Sequence, residues 1–141
     1  PNREFSDMNS LPYYSVCTTS THDMSPLRSW WKEDEAKTQR YYNNVLGHEG
    51  DAPADCSAEL ATEIVANHLA TRSMLTIIPL QDWMAMDERL RLADPDAERI
   101  NIPANPRHYW RYRMHLTVEK LIEAKDFNET LTGMISASGR K

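Results

Sequence analysis

Cysteine is scarce in this 141-residue chain: Cys17 and Cys56 are the whole supply, and no CxxC occurs. Two thiols make a poor disulfide framework, so both are expected to be reduced, as in a cytoplasmic protein. Positive charge is not in excess either. Sixteen Lys and Arg stand against 21 Asp and Glu, a net charge of -5, which argues against a general nucleic-acid binder. No apolar run reaches the roughly 18 residues a membrane helix needs, so no membrane span is expected. The start, "PNREFSDMNS", has no basic stretch followed by an apolar one and is not a secretory signal. It also has no initiator Met, as a piece of a longer protein would not.

What is present fits one ordinary soluble domain: 40% hydrophobic and 26% charged residues, with enough length for a single core. "LPYYSVCTTS" (11–20) is rich in Tyr, Val and Thr and reads as a strand. Its alternation is weak, as for a strand buried on both faces. Ser25 suits an N-cap and Pro26 the first helical position. Leu27, Trp30, Trp31, Thr38, Tyr41, Tyr42 and Val45 then follow at helical spacing, which predicts one long amphipathic helix stopped at Gly47. After a loop at 48–57, a second helix is expected over 58–70, with Leu60, Ile64, His68 and Leu69 on one stripe. "SMLTIIPLQD" (73–82) reads as a second buried strand, and "LQDWMAMDERLRL" returns to helical spacing. Pro95, Pro103 and Pro106 make the stretch 94–107 irregular, and long ordered loops of this kind are often functional. Two helices close the chain. Thr117 is an N-cap with Leu116 and Leu121 placed as a staple, Asp126 and Glu129 have capping-box spacing, and Gly139 ends the last helix.

Two strands with helical crossovers point to parallel α/β architecture. Two strands alone do not make a stable parallel sheet covered on both faces, so the domain reads as incomplete.

The chemistry-bearing stretch is "TTSTHDMSPLRSWWKED" (18–34), where His22 and Asp23 sit between a strand end and a helix start. Barrels and open sheets of the α/β class keep their active sites at such junctions. The plain alternative is that Asp23 helps cap the helix and His22 bonds a neighbour. Metal binding finds no HExxH and no Cys/His zinc spacing among the five histidines, and a Ser hydrolase finds no GxSxG. Glycosyl chemistry fits better. A developing oxocarbenium ion needs fixed negative charge, and sugar hydroxyls need donors and acceptors held in place. Tyr109, Trp110 and Tyr112 offer stacking faces for sugars, whereas Trp30 and Trp31 are expected in the core.

"CTTSTHDMSPLRSWWKED", "QRYYNNVLG", "SMLTIIPLQDWMAMD", "ERINIPANPRHYWRYR" and the closing "SGR", in this order, resemble the amylomaltases, the 4-alpha-glucanotransferases of glycoside hydrolase family 77. The variant "HDMSPLRSWW" is most similar to the branch with plant cytosolic disproportionating enzymes and their bacterial relatives. The resemblance spans nearly the whole chain. It implies the C-terminal part of a (β/α)8 barrel: the last two βα units plus closing helices, with residues 1–141 forming one incomplete domain. Such a barrel needs on the order of 250 residues. The family's nucleophile lies in an Arg-x-Asp-His setting that this chain lacks, and Glu33 and Asp34 lie on a helix face and do not stand in for it.

The resemblance further implies that Asp23 is the carboxylate that stabilises the transition state and that His22 holds sugar hydroxyls beside the cleaved bond. Asn101, Pro103, Tyr109 and Trp110 would line the glucan groove. Gln81 and Asp82 also match a family stretch, and their plain role is to brace the exit of the second strand. The expected partners are maltooligosaccharides, α-1,4-glucan and glucose as acceptor, with no metal or organic cofactor. Exposed barrel edges would allow self-association. Two other readings stay open at this point: a non-catalytic α/β piece that contacts glucan, and a metal-dependent phosphohydrolase of the HD type.

Overall fold

The computed structural model describes residues 4–140, so the opening Pro1 lies outside the described part. Strands β1 (Val16–Cys17) and β2 (Leu75–Thr76) pair in parallel, Val16 opposite Leu75 and Cys17 opposite Thr76. Three helices connect them: α1 (Leu27–Glu33), α2 (Glu35–Asn44) and α3 (Ala58–Leu69). After β2 come α4 (Leu80–Met84), a 3-10 turn at Pro95–Glu98 and a loop without regular structure, then α5 (Val118–Glu123) and α6 (Lys125–Ala137). Parallel strands need a crossover of this kind, and the expected α/β order is the one observed.

Both strands are shorter than the runs 11–20 and 73–82, and they are not covered on both faces. Val16 and Ile77 are each 58% exposed, while Cys17 is buried. Side chains alternate between the faces of a strand, so this two-stranded ribbon packs one face on the helices and leaves the other open. The hydrogen-bonded ladder extends slightly past the strand ends, from Met74 N to Tyr13 O at 2.7 Å and from Ile77 N to Cys17 O at 2.9 Å.

The single long helix expected up to Gly47 is two helices that break at Asp34. Its backbone is extended (φ -147°), and its Oδ1 accepts from Lys37 N at 2.9 Å, capping α2. Aspartate offers the backbone such a local alternative to helix, and an apolar stripe at helical spacing cannot reveal it. Thr38 reaches back across the break, its hydroxyl donating to Trp31 O at 2.8 Å. That satisfies a carbonyl left open at the end of α1. The stripe itself is correct. Leu27 and Trp31 are buried with Leu60, Ala61 and Ile64, and Trp30, Tyr41 and Tyr42 pack against them. The indole N–H of Trp31 donates to Pro53 O at 2.8 Å, so this large side chain is buried with its polar atom satisfied.

The start of α1 corrects a second expectation. Pro26, not Ser25, is the N-cap, and no side chain of its own segment caps the helix. The Ser25 hydroxyl turns instead to the Glu33 carboxylate. The cap comes from 55 residues away: Asp82 Oδ1 accepts from Leu27 N at 2.8 Å. Its other oxygen accepts from the hydroxyls of Thr19 and Ser20, the latter at 2.7 Å. Asp82 is fully buried on α4. One carboxylate therefore ties together the segment after β1, the start of α1 and the segment after β2.

α3 begins on Ser57, whose hydroxyl accepts from Leu60 N and caps the helix. Its far end is closed from the other terminus of the chain. Gly139 (φ 74°) takes the left-handed conformation that ends α6. Arg140 then donates from Nε to Leu69 O (2.7 Å) and from Nη2 to Thr71 O (2.6 Å). A guanidinium on the last carbonyls of a helix satisfies free acceptors and favours the negative end of its dipole. At α5 the Thr117 cap is present, accepting from Lys120 N. The Asp126–Glu129 capping box is not. α6 begins at Lys125 after an Ala124 cap without a side-chain bond, which places Asp126 inside the first turn, facing Arg89 at 3.4 Å. Cys17 and Cys56 are buried free thiols, and burial pushes the Cys56 thiol up to about 12, so neither reads as a reactive thiolate.

Removing the Asp82 carboxylate leaves three donors unsatisfied around it, two hydroxyls and an amide. Asp82→Ala is expected to cost about 3 kcal/mol in denaturant unfolding. A loss below ~1 kcal/mol would remove it from this role. Arg140→Ala is expected to cost about 1–2 kcal/mol by the same measurement.

Candidate functional site

His22 and Asp23 are the two central residues of a tight turn closed by Met24 N on Thr21 O at 3.1 Å. The turn is held from both ends. Upstream, Thr19 and Ser20 are fixed on Asp82, and downstream Leu27 is bound to the same carboxylate. Between these anchors the turn projects outward, and the side chains of His22 and Asp23 are each a little over half exposed. His22 Nε2 faces Asp23 Oδ2 at 3.3 Å. Both are too exposed to be a buried structural pair, and Asp23 caps no helix; α1 takes its cap from Asp82.

The loop beyond the 3-10 turn comes to meet them. The Asn101 amide donates from Nδ2 to Asp23 Oδ1 at 2.6 Å, while its own Oδ1 accepts from Ile102 N at 2.9 Å. That second bond fixes which way the amide points. Trp110 approaches His22, with ring centroids 5.2 Å apart and planes inclined by 52°. Its indole remains 61% exposed, leaving a broad apolar face open beside the carboxylate.

The loop reaches this point without helix or strand because it is a chain of closed turns. Asn105 N donates to Ile102 O (2.8 Å) and His108 N to Asn105 O (3.0 Å). Pro103 and Pro106 each follow the first residue of their turn, where a fixed φ is favourable. The His108 ring then bonds Ile100 O through Nε2 at 2.9 Å, drawing the neck of the loop together. Histidine 108 as a clamp was not legible beforehand. A histidine eight residues after its acceptor carries no local pattern.

Of the six residues singled out from the sequence, the structure brings four together: His22, Asp23, Asn101 and Trp110. Pro103 holds a turn, and Tyr109 lies exposed under the guanidinium of Arg111 at 5.0 Å. Tyr112 is partly buried and does not present a free face like that of Trp110.

Asp23 has two oxygens, one engaged by Asn101 and the other facing His22; a carboxylate accepts about four hydrogen bonds, so this half-exposed one has acceptor capacity left. An exposed carboxylate oriented by an amide, beside an imidazole and a flat indole, is suited to a polyhydroxylated ring: hydroxyls on the acid and the imidazole, C–H face on the indole. The other acidic side chains tied to this region have internal partners: Asp82 and Glu98 are fully buried, and Glu33 is engaged by Ser25 and Arg99. Asp23 is therefore the acid this group offers to a ligand.

Metal chemistry gains no support. Among the described residues no group of three or more His, Cys, Asp or Glu side chains is placed to hold a metal ion. The other four histidines are dispersed: His48 on Glu63, His68 on Ile64 O, His108 on Ile100 O and His115 on Leu90 O. Among the described residues no helix is long and apolar enough to cross a membrane.

Residues 1–117 match the model of the 4-alpha-glucanotransferase family, glycoside hydrolase family 77. The chain is 40% identical over 140 residues to the 4-alpha-glucanotransferase DPE2 of rice, covering 99% of this chain and 15% of that protein. It is 29% identical over 136 residues to the 4-alpha-glucanotransferase of Chlamydia trachomatis, covering 94% of this chain and 25% of the relative. It thus spans a quarter or less of the length of these relatives. Among solved structures it resembles the amylomaltase from Streptococcus agalactiae in complex with acarbose. The TM-score is 0.63 at 19% identity, over 89% of this chain and 22% of the other, which speaks to fold alone. By the family match over residues 1–117, this chain belongs to the 4-alpha-glucanotransferase family.

Proposed function

We propose that this chain supplies the Asp23–His22 wall of the glucan cleft of a 4-alpha-glucanotransferase. In this reading it forms the last two βα units and the closing helices of a (β/α)8 barrel. The observation that carries it is the convergence of Asn101 and Trp110, 78 or more residues away in sequence, on Asp23 and His22. The parallel pairing of β1 with β2 supports the barrel placement. So do the exposed apolar side chains Tyr14, Val16, Leu75 and Ile77 along the ribbon, which neighbouring strands and their helices would cover. Left uncovered, the same edge favours association with a second copy.

The parent enzyme cleaves an α-1,4-glucan with retention, through a covalent glycosyl-enzyme, and passes the glycosyl unit to the 4-hydroxyl of glucose or another glucan. The nucleophile and the acid/base catalyst come from other parts of that enzyme. The Asp23 carboxylate accepts hydrogen bonds from ring hydroxyls, which become better donors as positive charge grows on the sugar. The interaction is stronger in the transition state than in the ground state, so it accelerates the chemical step. Asn101 holds the carboxylate in place before substrate arrives, and His22 donates to a neighbouring hydroxyl. Trp110 stacks on a sugar ring. The acarbose complex of the Streptococcus agalactiae amylomaltase supports a saccharide as the ligand class. No metal or organic cofactor takes part, and the enzyme works in the cytoplasm on maltooligosaccharides and longer α-1,4-glucans.

In the full-length enzyme, Asp23→Asn is expected to lower maltotriose disproportionation at least ~100-fold with little change in unfolding midpoint, since the side chain is exposed. Turnover near that of wild type would sink the assignment. His22→Ala is expected to cost about tenfold, because positioning is lost but the charge is kept. An unchanged rate would return His22 to a neighbour-bonding role. Trp110→Ala should act chiefly on KM, raising it about tenfold for the loss of a stacked ring. The 141 residues on their own hold one of the three carboxylates the reaction uses. They are expected to give no products longer than the maltotriose donor when those products are separated by chromatography.

A further inference from the structure

The loop that carries Asn101 and Trp110 to the site has no regular element of its own, so the position of its root decides where those side chains arrive. The root is Glu98, a carboxylate with no exposure to solvent. Its Oε1 accepts from Leu92 N at 3.0 Å, and its backbone carbonyl accepts from Gln81 Nε2 at 3.3 Å. Its Oε2 lies 3.8 Å from Arg28 Nη1 and makes no hydrogen bond among the described residues. Arg28, on the first turn of α1, also donates to Leu92 O at 2.6 Å and to Ala93 O at 3.4 Å. Glu98 and Arg28 thereby clamp residues 92–98 onto the helix that begins just after the His22–Asp23 turn. Glu98 also lines the narrow crevice behind that turn, with His22, Gln81 and Ile100.

Accepting one backbone N–H does not require a charge. Burying a carboxylate is costly unless it is paired, and here the partner is the guanidinium that also grips the preceding carbonyls. The Glu33–Arg99 pair (3.3 Å), half exposed on its Glu33 side, touches the same segment from the rim and is a second, partly solvated contact there.

We propose that Glu98 is a positioning residue: its buried negative charge, held against Arg28, fixes the root of the 99–112 loop so that Asn101 meets Asp23. This role is separate from the sugar contacts proposed above and rests on that reading only where activity is the readout.

Glu98→Gln keeps the shape and the acceptor for Leu92 N but removes the charge facing Arg28. In the full-length enzyme, amide hydrogen exchange in peptides covering 99–112 is expected to speed up about tenfold, with peptides from α3 unchanged. Unchanged exchange at 99–112 overturns the proposal. So does loss of protection spread equally through α3, which a general core defect would give. Arg28→Gln, which removes the pair from its other side, must reproduce the local acceleration, and it decides the matter if Glu98→Gln does not fold. In kcat, the Glu98→Gln and Asn101→Ala double variant is expected to lose no more than Asn101→Ala alone, because Glu98 acts on kcat through Asn101 while the displacement of Trp110 falls on KM. Full additivity overturns the proposal. A wild-type enzyme without transferase activity would sink the proposed function instead, and the exchange experiment would still decide the role of Glu98.

Discussion

The fold and the site depend on a carboxylate that solvent does not reach. Asp82 replaces its lost hydration with two hydroxyls and one amide, from Thr19, Ser20 and Leu27. Each donor belongs to a segment that local interactions leave loose: the chain leaving β1, and a seven-residue helix that has no cap of its own. A helix that short is marginal by itself, and nucleation is its main cost. An anion at its first free amide removes part of that cost and is favoured by the helix dipole. Because the anion sits on α4, the parallel crossover is closed at the end of the strands where His22 and Asp23 emerge.

Three acidic residues, Asp82, Glu98 and Asp23, divide by depth. Asp82 and Glu98 are buried, and both bind backbone amides that would otherwise be left open. Asp23 is exposed and binds a side-chain amide, with lone pairs to spare. The first kind can only set geometry, since neither reaches a ligand. The second can act on one, and its orientation is inherited from the first. Burial raises the proton affinity of Glu98 above the ordinary carboxylate range, and the Leu92 amide and Arg28 oppose that rise. What favours its charged form is Arg28 and the Leu92 amide, just as the position of Asp23 is set by Asn101.

Local signals were legible where the physics is local. Thr117 announces its helix because a cap acts within three residues, and Gly139 announces a stop because glycine tolerates the positive φ it takes there. The Leu27–Tyr42 stripe gave the core face of α1 and α2 correctly. It could not show the break at Asp34, since an apolar face runs straight through a change of axis. Asp126 with Glu129 has the spacing of a capping box but falls inside α6, where spacing alone is uninformative. The site was partly legible. His22 and Asp23 stood out at a strand-to-helix junction and Trp110 as a stacking face, whereas Asn101 was reached only through the family resemblance. Nothing in the residues near Asn101 tells of a partner 78 positions earlier. The Asp82 tie and the His108 clamp are of the same kind: contacts set by topology, with no periodicity to betray them.

How an irregular loop can hold a side chain at 2.6 Å from its partner is then a question of closure rather than of secondary structure. Two successive turns, each with a proline where φ must be fixed, shorten the loop and leave it little freedom in the unfolded chain to lose. The His108 ring closes its neck on Ile100, and the root at Glu98 is fixed to α1 and α4. Each closure lowers the entropy that ordering the tip would otherwise cost. By the time the chain reaches Trp110, the remaining freedom is small enough for one hydrogen bond and one ring contact to set the position. An electrostatic site gains most when its dipoles are oriented before charge develops. A loop built of closed turns, rooted in buried charge, gives Asp23 that orientation while leaving its face open to a ligand.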